Sequence, residues 1–226
     1  MSFELKSIIP WGRSFNEYQK MFDLSETDLT KRIAGFGDGP AGFNAEMTRL
    51  GKKAVSFDPI YQFSAEEIRQ RISATKDTVI RQTRENYQNF VWDHIKSVEE
   101  LIQIRMDAMN NFLEDFETGK SQKRYVHHQL PEPVPSADAG FDLGLSSHFL
   151  FLYSQLGLDF HLRAISEMLR VCREIRIFPL LNLNAGKSEV LDEVCDYYSR
   201  NYEVKISKVG YEFQKNGNQM LSIKSS

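Results

Sequence analysis

The stretch that most constrains this chain is KRIAGFGDGPAGFNAEMTRLGKKAVSFD, residues 31–58. A short apolar run, a cluster of glycines, a helical pattern stopped by Gly51 and a second apolar run ending on an acid spell one strand-helix-strand unit, the mark of an α/β fold. The glycines satisfy two spellings at once: G-x-G-x-G at Gly35, Gly37 and Gly39, and G-x-G-x-x-G at Gly37, Gly39 and Gly42. Glycines at the end of a first strand let the backbone turn sharply and let a ligand approach where no Cβ intervenes, while the following helix presents free N–H groups. Pro40 fits the first turn of that helix, where no N–H is needed. Asp58, nineteen residues after Gly39, is placed to accept hydrogen bonds from both hydroxyls of a ribose. A tight turn with a surface acid would explain the same residues, but glycines and acid together in this context favour a nucleoside cofactor.

The 226 residues, 41% hydrophobic and 12% aromatic, suffice for one sizeable core, and the expectation is a single domain over 1–226 with two elaborations. A preface, 1–29, carries Phe15, Tyr18, Met21 and Phe22 at helical spacing. A helical insertion, 64–119, opens with the capping pair Ser64 and Glu67 and continues through apolar stripes from Ile68 to Ile80 and from Val98 to Phe116. A crossover needs only about a dozen residues, so this addition has its own purpose, either substrate enclosure or subunit contact. Alternation then resumes with KRYVHH as a strand, a Pro-rich loop, FDLGLSS as a strand, helices over 149–156 and 161–172, and EIRIFPLL as a strand. Residues 188–201 read as a helix, and YEVKISKVGYEF with QMLSIKS as an antiparallel hairpin turning at Asn216-Gly217.

A net charge of -3 offers no field for a polyanion, and Lys120 to Arg124 is only a short basic cluster, so nucleic acid is not expected as a partner. The first residues lack an apolar signal core, and the longest apolar run, FLFLY from Phe149, is too brief to span a bilayer. The expectation is a cytoplasmic protein with no membrane partner. Cys172 and Cys195 each fall in an apolar helical pattern and read as buried free thiols. No histidine or carboxylate stands at metal-ligand spacing, so no metal is expected.

The closing hairpin bears on the choice of cofactor. A dinucleotide fold would continue into a second half with more parallel strands, whereas an antiparallel ending favours S-adenosylmethionine. Taken together, AGFGDGP, VSFDP, PVPSADAGFDLGLSSHFLFL and VGYEFQKNGNQMLSI resemble the class I S-adenosylmethionine-dependent methyltransferases over most of the chain. PWGRSFNEY, GDGPAGFNAEM, FDPIY, SSHFLFLY and RIFPLLNL look like a bacterial subgroup of that family. The resemblance implies a Rossmann-like, seven-stranded, mostly parallel sheet with an antiparallel last strand, and a lid formed by the insertion between strands two and three. It implies S-adenosylmethionine as cofactor, held by Gly35, Phe36, Gly37, Asp38 and Gly39, by Asp58 and Pro59, by Gln129 and Leu130, and by Ser146. Two positions depart from the family pattern. The acid often found two residues before the first glycine is Ile33 here, which leaves the methionine ammonium to backbone carbonyls or Asp38. The adenine-binding acid after the third strand falls on Leu130, which leaves Gln129 or backbone groups.

Methyl transfer from a sulfonium is an in-line displacement in which alignment and exclusion of water do most of the catalysis. A base is needed only when the acceptor must lose a proton. SSHF lies at the carboxyl edge of the sheet, where open α/β folds place their crevice, so His148 is the candidate base with Ser147 beside it. Packing at a helix start would equally explain His148. Of His127 and His128, at most one faces inward. Arg13, Tyr18 and Tyr61 are candidate acceptor contacts. Arg81, Arg84 and Arg105, set among the insertion's aromatics, would suit a carboxylate or phosphate, although solvated helix faces account for them as well. The expected function is methyl transfer to a small-molecule acceptor. The alternatives are an NAD(P)-dependent oxidoreductase and a non-catalytic S-adenosylmethionine-binding protein. Acceptor identity and oligomeric state, a homodimer included, are not written in these residues.

Overall fold

The computed structural model describes residues 10–225, so the first nine residues of the preface lie outside it. Seven strands form one sheet: β1 (Ile33–Phe36), β2 (Ala54–Asp58), β3 (Tyr125–His127), β4 (Phe141–Ser147), β5 (Cys172–Phe178), β6 (Tyr202–Lys208) and β7 (Gln219–Ser225). Their order is β3-β2-β1-β4-β5-β7-β6. The first five are parallel, and β7 runs antiparallel to both β5 and β6. Strand order reverses between β1 and β4, which opens a crevice at their carboxyl ends.

Among the described residues there are six α-helices: α1 (Phe15–Met21), α2 (Phe43–Arg49), α3 (Ala65–Glu85), α4 (Val98–Ser121), α5 (Leu158–Val171) and α6 (Leu191–Tyr198). All four residues of β1 are buried, as expected of a parallel strand covered on both faces. Ala34, Phe36, Ile175 and Ile177 pack with Ile165 and Met168 of α5 and Val194 of α6. On the other side Ile33, Leu143 and Leu145 pack with Tyr18 and Met21 of α1 and Phe43 and Met47 of α2. Ser14 and Ser64 start α1 and α3 through reciprocal capping boxes with Glu17 and Glu67.

The two insertion helices differ in role. Met109, Phe112 and Phe116 of α4 form a core with Tyr61 and Tyr125 beside the sheet, and α3 lies against α4 through Ile68 and Ile72. α4 approaches α2 so closely that a Cβ on Gly42 would lie 3.0 Å from the Ala108 carbonyl oxygen. α4 is therefore an ordinary sheet-covering crossover helix, and α3 is the added layer.

Several local expectations change. α2 begins at Phe43, so Pro40 belongs to the preceding loop and not to the helix. Residues Phe151–Leu156 form a 3-10 segment kinked at Tyr153, and α5 begins at Leu158. Cys172 opens β5 and is not helical; it is buried, while Cys195 is half-buried in α6. The β6-β7 ladder ends at Lys208 and Gln219, short of the expected Asn216-Gly217 hairpin. The connecting residues leave the sheet because the Phe213 ring stacks on Phe90, centroids 4.7 Å apart, and the Phe213 carbonyl accepts from the Val91 N–H at 2.7 Å.

Candidate cofactor and acceptor site

The Gly-rich loop after β1 is held by its neighbours. Gly37 donates its N–H to the Phe57 carbonyl at 2.9 Å and takes φ +70°, and Gly39 takes φ +57°. Both lie in the left-handed region that glycine enters at little cost. A Cβ on Gly37 would stand 2.8 Å from the Phe149 ring, and one on Gly35 would stand 1.8 Å from the Asp38 carboxylate. Gly35 thus leaves the space into which Asp38 folds back. Asp38 Oδ1 accepts from the Tyr18 hydroxyl at 2.8 Å, while Oδ2 is buried toward Gly35, with the Ser56 hydroxyl among its neighbours. Burial pushes this carboxyl up to about 6. Asp58, at the end of β2, accepts the Gly39 N–H at 2.8 Å and the Ile60 N–H at 2.7 Å, and burial pushes it to about 6 despite those bonds. It braces the loop, and each oxygen keeps a further lone pair.

These groups line a cavity of about 420 Å³, within the range of about 300–1,000 Å³ usual for ligand sites. Its walls are Gly37 to Pro40, Asp58 to Ile60, His128 to Leu130 and Ser147 to Phe149, closed by Trp11, Arg13 and Tyr18 from the preface and by Arg71, Ala74 and Thr75 of α3. His148 sits where β4 ends, at φ +53°, with its N–H donated to the Phe178 carbonyl at 2.7 Å. This left-handed conformation is uncommon for a side chain other than glycine, and such strain collects at functional positions. Its Nδ1 lies 2.8 Å from Ser147 Oγ, which also lies 3.9 Å from Met21 Sδ. The tautomer sets the roles in this pair: if Nδ1 carries the proton it donates to Oγ and Nε2 is left to take a proton, and if Nε2 carries it the hydroxyl donates to Nδ1. Burial first, then the charges of Arg13 and Arg105, hold His148 well below the usual histidine range.

The structure brings together Gly37, Asp38, Gly39, Asp58, Pro59, Gln129, Leu130, Ser147, His148, Arg13 and Tyr18 at one cavity. It places the other sequence candidates elsewhere. Phe36 is core, stacked 5.5 Å from Phe57; Ser146 is fully buried in β4; Gly35 lies beneath Asp38. Tyr61 stands in the aromatic cluster behind the loop and donates its hydroxyl to the Gly39 carbonyl at 2.8 Å. Arg81 is exposed, and Arg84 is an exposed partner of Glu99. Arg105 is buried and ion-paired with Glu17, so its charge is already answered.

Of the two adjacent histidines only one turns inward, and Arg71 is a wall residue that the sequence did not single out. His128 faces inward while His127 is exposed, and its buried Nε2 has no partner. Arg71 lies 4.0 Å over the Phe63 ring; its spacing of three from Ile68, on the buried face of α3, was the available signal. Among the described residues no group of three His, Cys, Asp or Glu is placed to hold a metal ion, and no helix is long and apolar enough to cross a membrane.

No model of a known protein family matches the chain. It is 37% identical over 222 residues to the uncharacterized protein MJ0045 of Methanocaldococcus jannaschii, covering 97% of each chain. Among solved structures it is similar to an O-methyltransferase of neocarzinostatin biosynthesis in complex with S-adenosylhomocysteine and 1,4-dihydroxy-2-naphthoic acid, with TM-score 0.51 and 9% identity. That likeness covers 93% of this chain and 54% of the longer one. A TehB-like S-adenosylmethionine-dependent methyltransferase from Corynebacterium glutamicum aligns with TM-score 0.46 and 14% identity over 87% of this chain and 81% of that one.

Proposed function

We propose that this chain, which belongs to the same family as the uncharacterized protein MJ0045 of Methanocaldococcus jannaschii and has the fold of the class I methyltransferases, binds S-adenosylmethionine and transfers its methyl group to a small-molecule acceptor. The observation that carries this reading is the pair of buried carboxylates at the Gly-rich loop, Asp38 and Asp58. Two acids that burial makes costly to ionise favour a ligand of net positive charge. S-adenosylmethionine offers a sulfonium and an ammonium against one carboxylate. A dinucleotide would set its pyrophosphate against Asp38 in the same loop, a like-charge contact, which disfavours the nicotinamide alternative.

The residues fit the cofactor's parts. The Asp38 carboxylate, on the cavity wall, suits the ammonium that Ile33 cannot hold, and the free lone pairs of Asp58 suit the ribose hydroxyls. His128 Nε2, with Gln129 and Leu130, suits the adenine edge. When bound, the cofactor supplies an electrophilic methyl group. The protein's part is alignment, apolar walls that exclude water, and a neutral His148 whose Nε2 takes the acceptor's proton where one must leave. A small acceptor accords with the naphthoic acid held by the neocarzinostatin enzyme.

Calorimetric titration tests the cofactor. S-adenosylmethionine is expected to bind the wild type, with NAD silent. Asp38→Asn and Asp58→Ala are expected to weaken binding about 10- to 150-fold, the loss of roughly 1.5–3 kcal/mol for hydrogen bonds to a charged group. Preference for NAD would overturn the proposal. Formation of S-adenosylhomocysteine in the presence of acceptors separates an enzyme from a silent binder.

A further inference from the structure

A second cavity of about 160 Å³ adjoins the first and shares Trp11, Arg13 and His148 with it. Its remaining walls are strongly aromatic, with Phe90, Phe178, Tyr211 and Phe213. An apolar cavity of roughly 150 Å³ in another protein accommodates benzene, so this space takes one six-membered ring with little to spare. No acidic side chain lines it. Of its two cations, Arg105 is neutralised by Glu17, which also accepts the Tyr211 hydroxyl at 2.7 Å. Arg13 forms no ion pair among the described residues; it donates Nη1 to the Trp11 carbonyl, and its Nε is buried with no partner. The chamber is therefore a largely aromatic slot with one positive charge outside any ion pair, at its junction with the first cavity.

We propose that this second cavity is the acceptor site and takes a single-ring aromatic carboxylate, its ring among Phe90, Phe178 and Phe213 and its carboxylate on Arg13. The planar guanidinium fork matches a carboxylate, and desolvation among aromatic walls strengthens the pairing. His148, common to both cavities, then stands beside the ring's substituents. The assignment rests on the methyltransferase reading for its meaning, but the binding it requires does not depend on the cofactor.

Benzoate and its neutral isostere benzamide are titrated by calorimetry into the free protein and into protein saturated with S-adenosylhomocysteine. Benzoate is expected to bind both forms, at least tenfold more tightly than benzamide. Arg13→Gln is expected to erase that preference while S-adenosylmethionine affinity stays within about threefold. Val79→Phe, which fills the slot from α3, is expected to remove benzoate binding with the same cofactor affinity. Loss of S-adenosylmethionine affinity in Arg13→Gln with the benzoate preference retained would give Arg13 to the methionine carboxylate and overturn the proposal. Competition between benzoate and S-adenosylhomocysteine, or equal binding of benzoate and benzamide, would overturn it too. Failure of the wild type to bind S-adenosylmethionine, with benzoate still selected by Arg13, would sink the methyltransferase reading and leave the anion slot standing.

Discussion

Two charged residues near α1 have opposite fates. Arg13 keeps an unanswered charge at a cavity, whereas Arg105 is spent on Glu17, the same residue that completes the capping box of α1. Burial alone would raise Glu17, but the Arg105 charge outweighs it and brings the carboxyl down to about 2. The pair's contribution to stability is therefore present above the ordinary carboxylate range and is lost only as pH falls toward 2. Arg105→Met leaves Glu17 buried and unpaired, and a loss of about 3–5 kcal/mol is expected in denaturant unfolding. Adding Glu17→Gln should recover much of it. A mild effect of the single change, with weakened acceptor binding, would return Arg105 to the acceptor role its sequence position suggested.

At the scale of elements, the insertion divides into a structural helix and a peripheral one. α4 buries nine residues, Phe112 and Phe116 among them, whereas α3 buries only Ile68, Ile72 and Thr83 over 21 residues. Excising the whole insertion would expose the core around Tyr61 and Tyr125, so it is a poor test of a lid. Hydrogen exchange is a better one, because local opening follows apolar burial. Amides of α3 are expected to exchange faster than those of α4, and S-adenosylmethionine should slow the turn from Arg71 to Thr75 most, since that turn lines the cavity proposed to hold it. Equal protection in both helices, unchanged by ligand, would show α3 to be no lid.

For the molecule as a whole, the buried acids of the site set a pH dependence. Asp38 and Asp58 both stand at about 6 in the folded protein, above their unfolded value, so the folded state binds protons more tightly. Their contribution is full below the unfolded value and lost as pH rises through 6. His148, held low, acts oppositely and costs stability as pH falls below the histidine range. Comparison with Asp38→Asn isolates the carboxylate. The melting temperature of the free variant should exceed that of the wild type by an amount that grows between pH 5 and pH 8, at about 2–4 °C per kcal/mol for a chain of this size. A gap independent of pH would mean that Asp38 is not held near 6. The fold behind this balance was largely legible in the sequence. The capping box of Ser64 and Glu67, the βαβ unit, β4 over FDLGLSS and the glycines at positive φ follow from periodicity and backbone sterics, which act within a few residues. The placement of Asp58 at the end of β2, beside the Gly-rich loop, was legible for the same reason. What the tertiary structure alone decided lies in contacts between distant segments: Tyr18 on Asp38, Glu17 on Arg105, Phe90 on Phe213, and the small chamber walled by the preface, α3, α4 and the β6-β7 connection. A charged side chain's meaning depends on whether packing buries it and what it meets there, and neither is carried by local spacing, so Arg13 and Arg105 read alike in the sequence and differ in the fold.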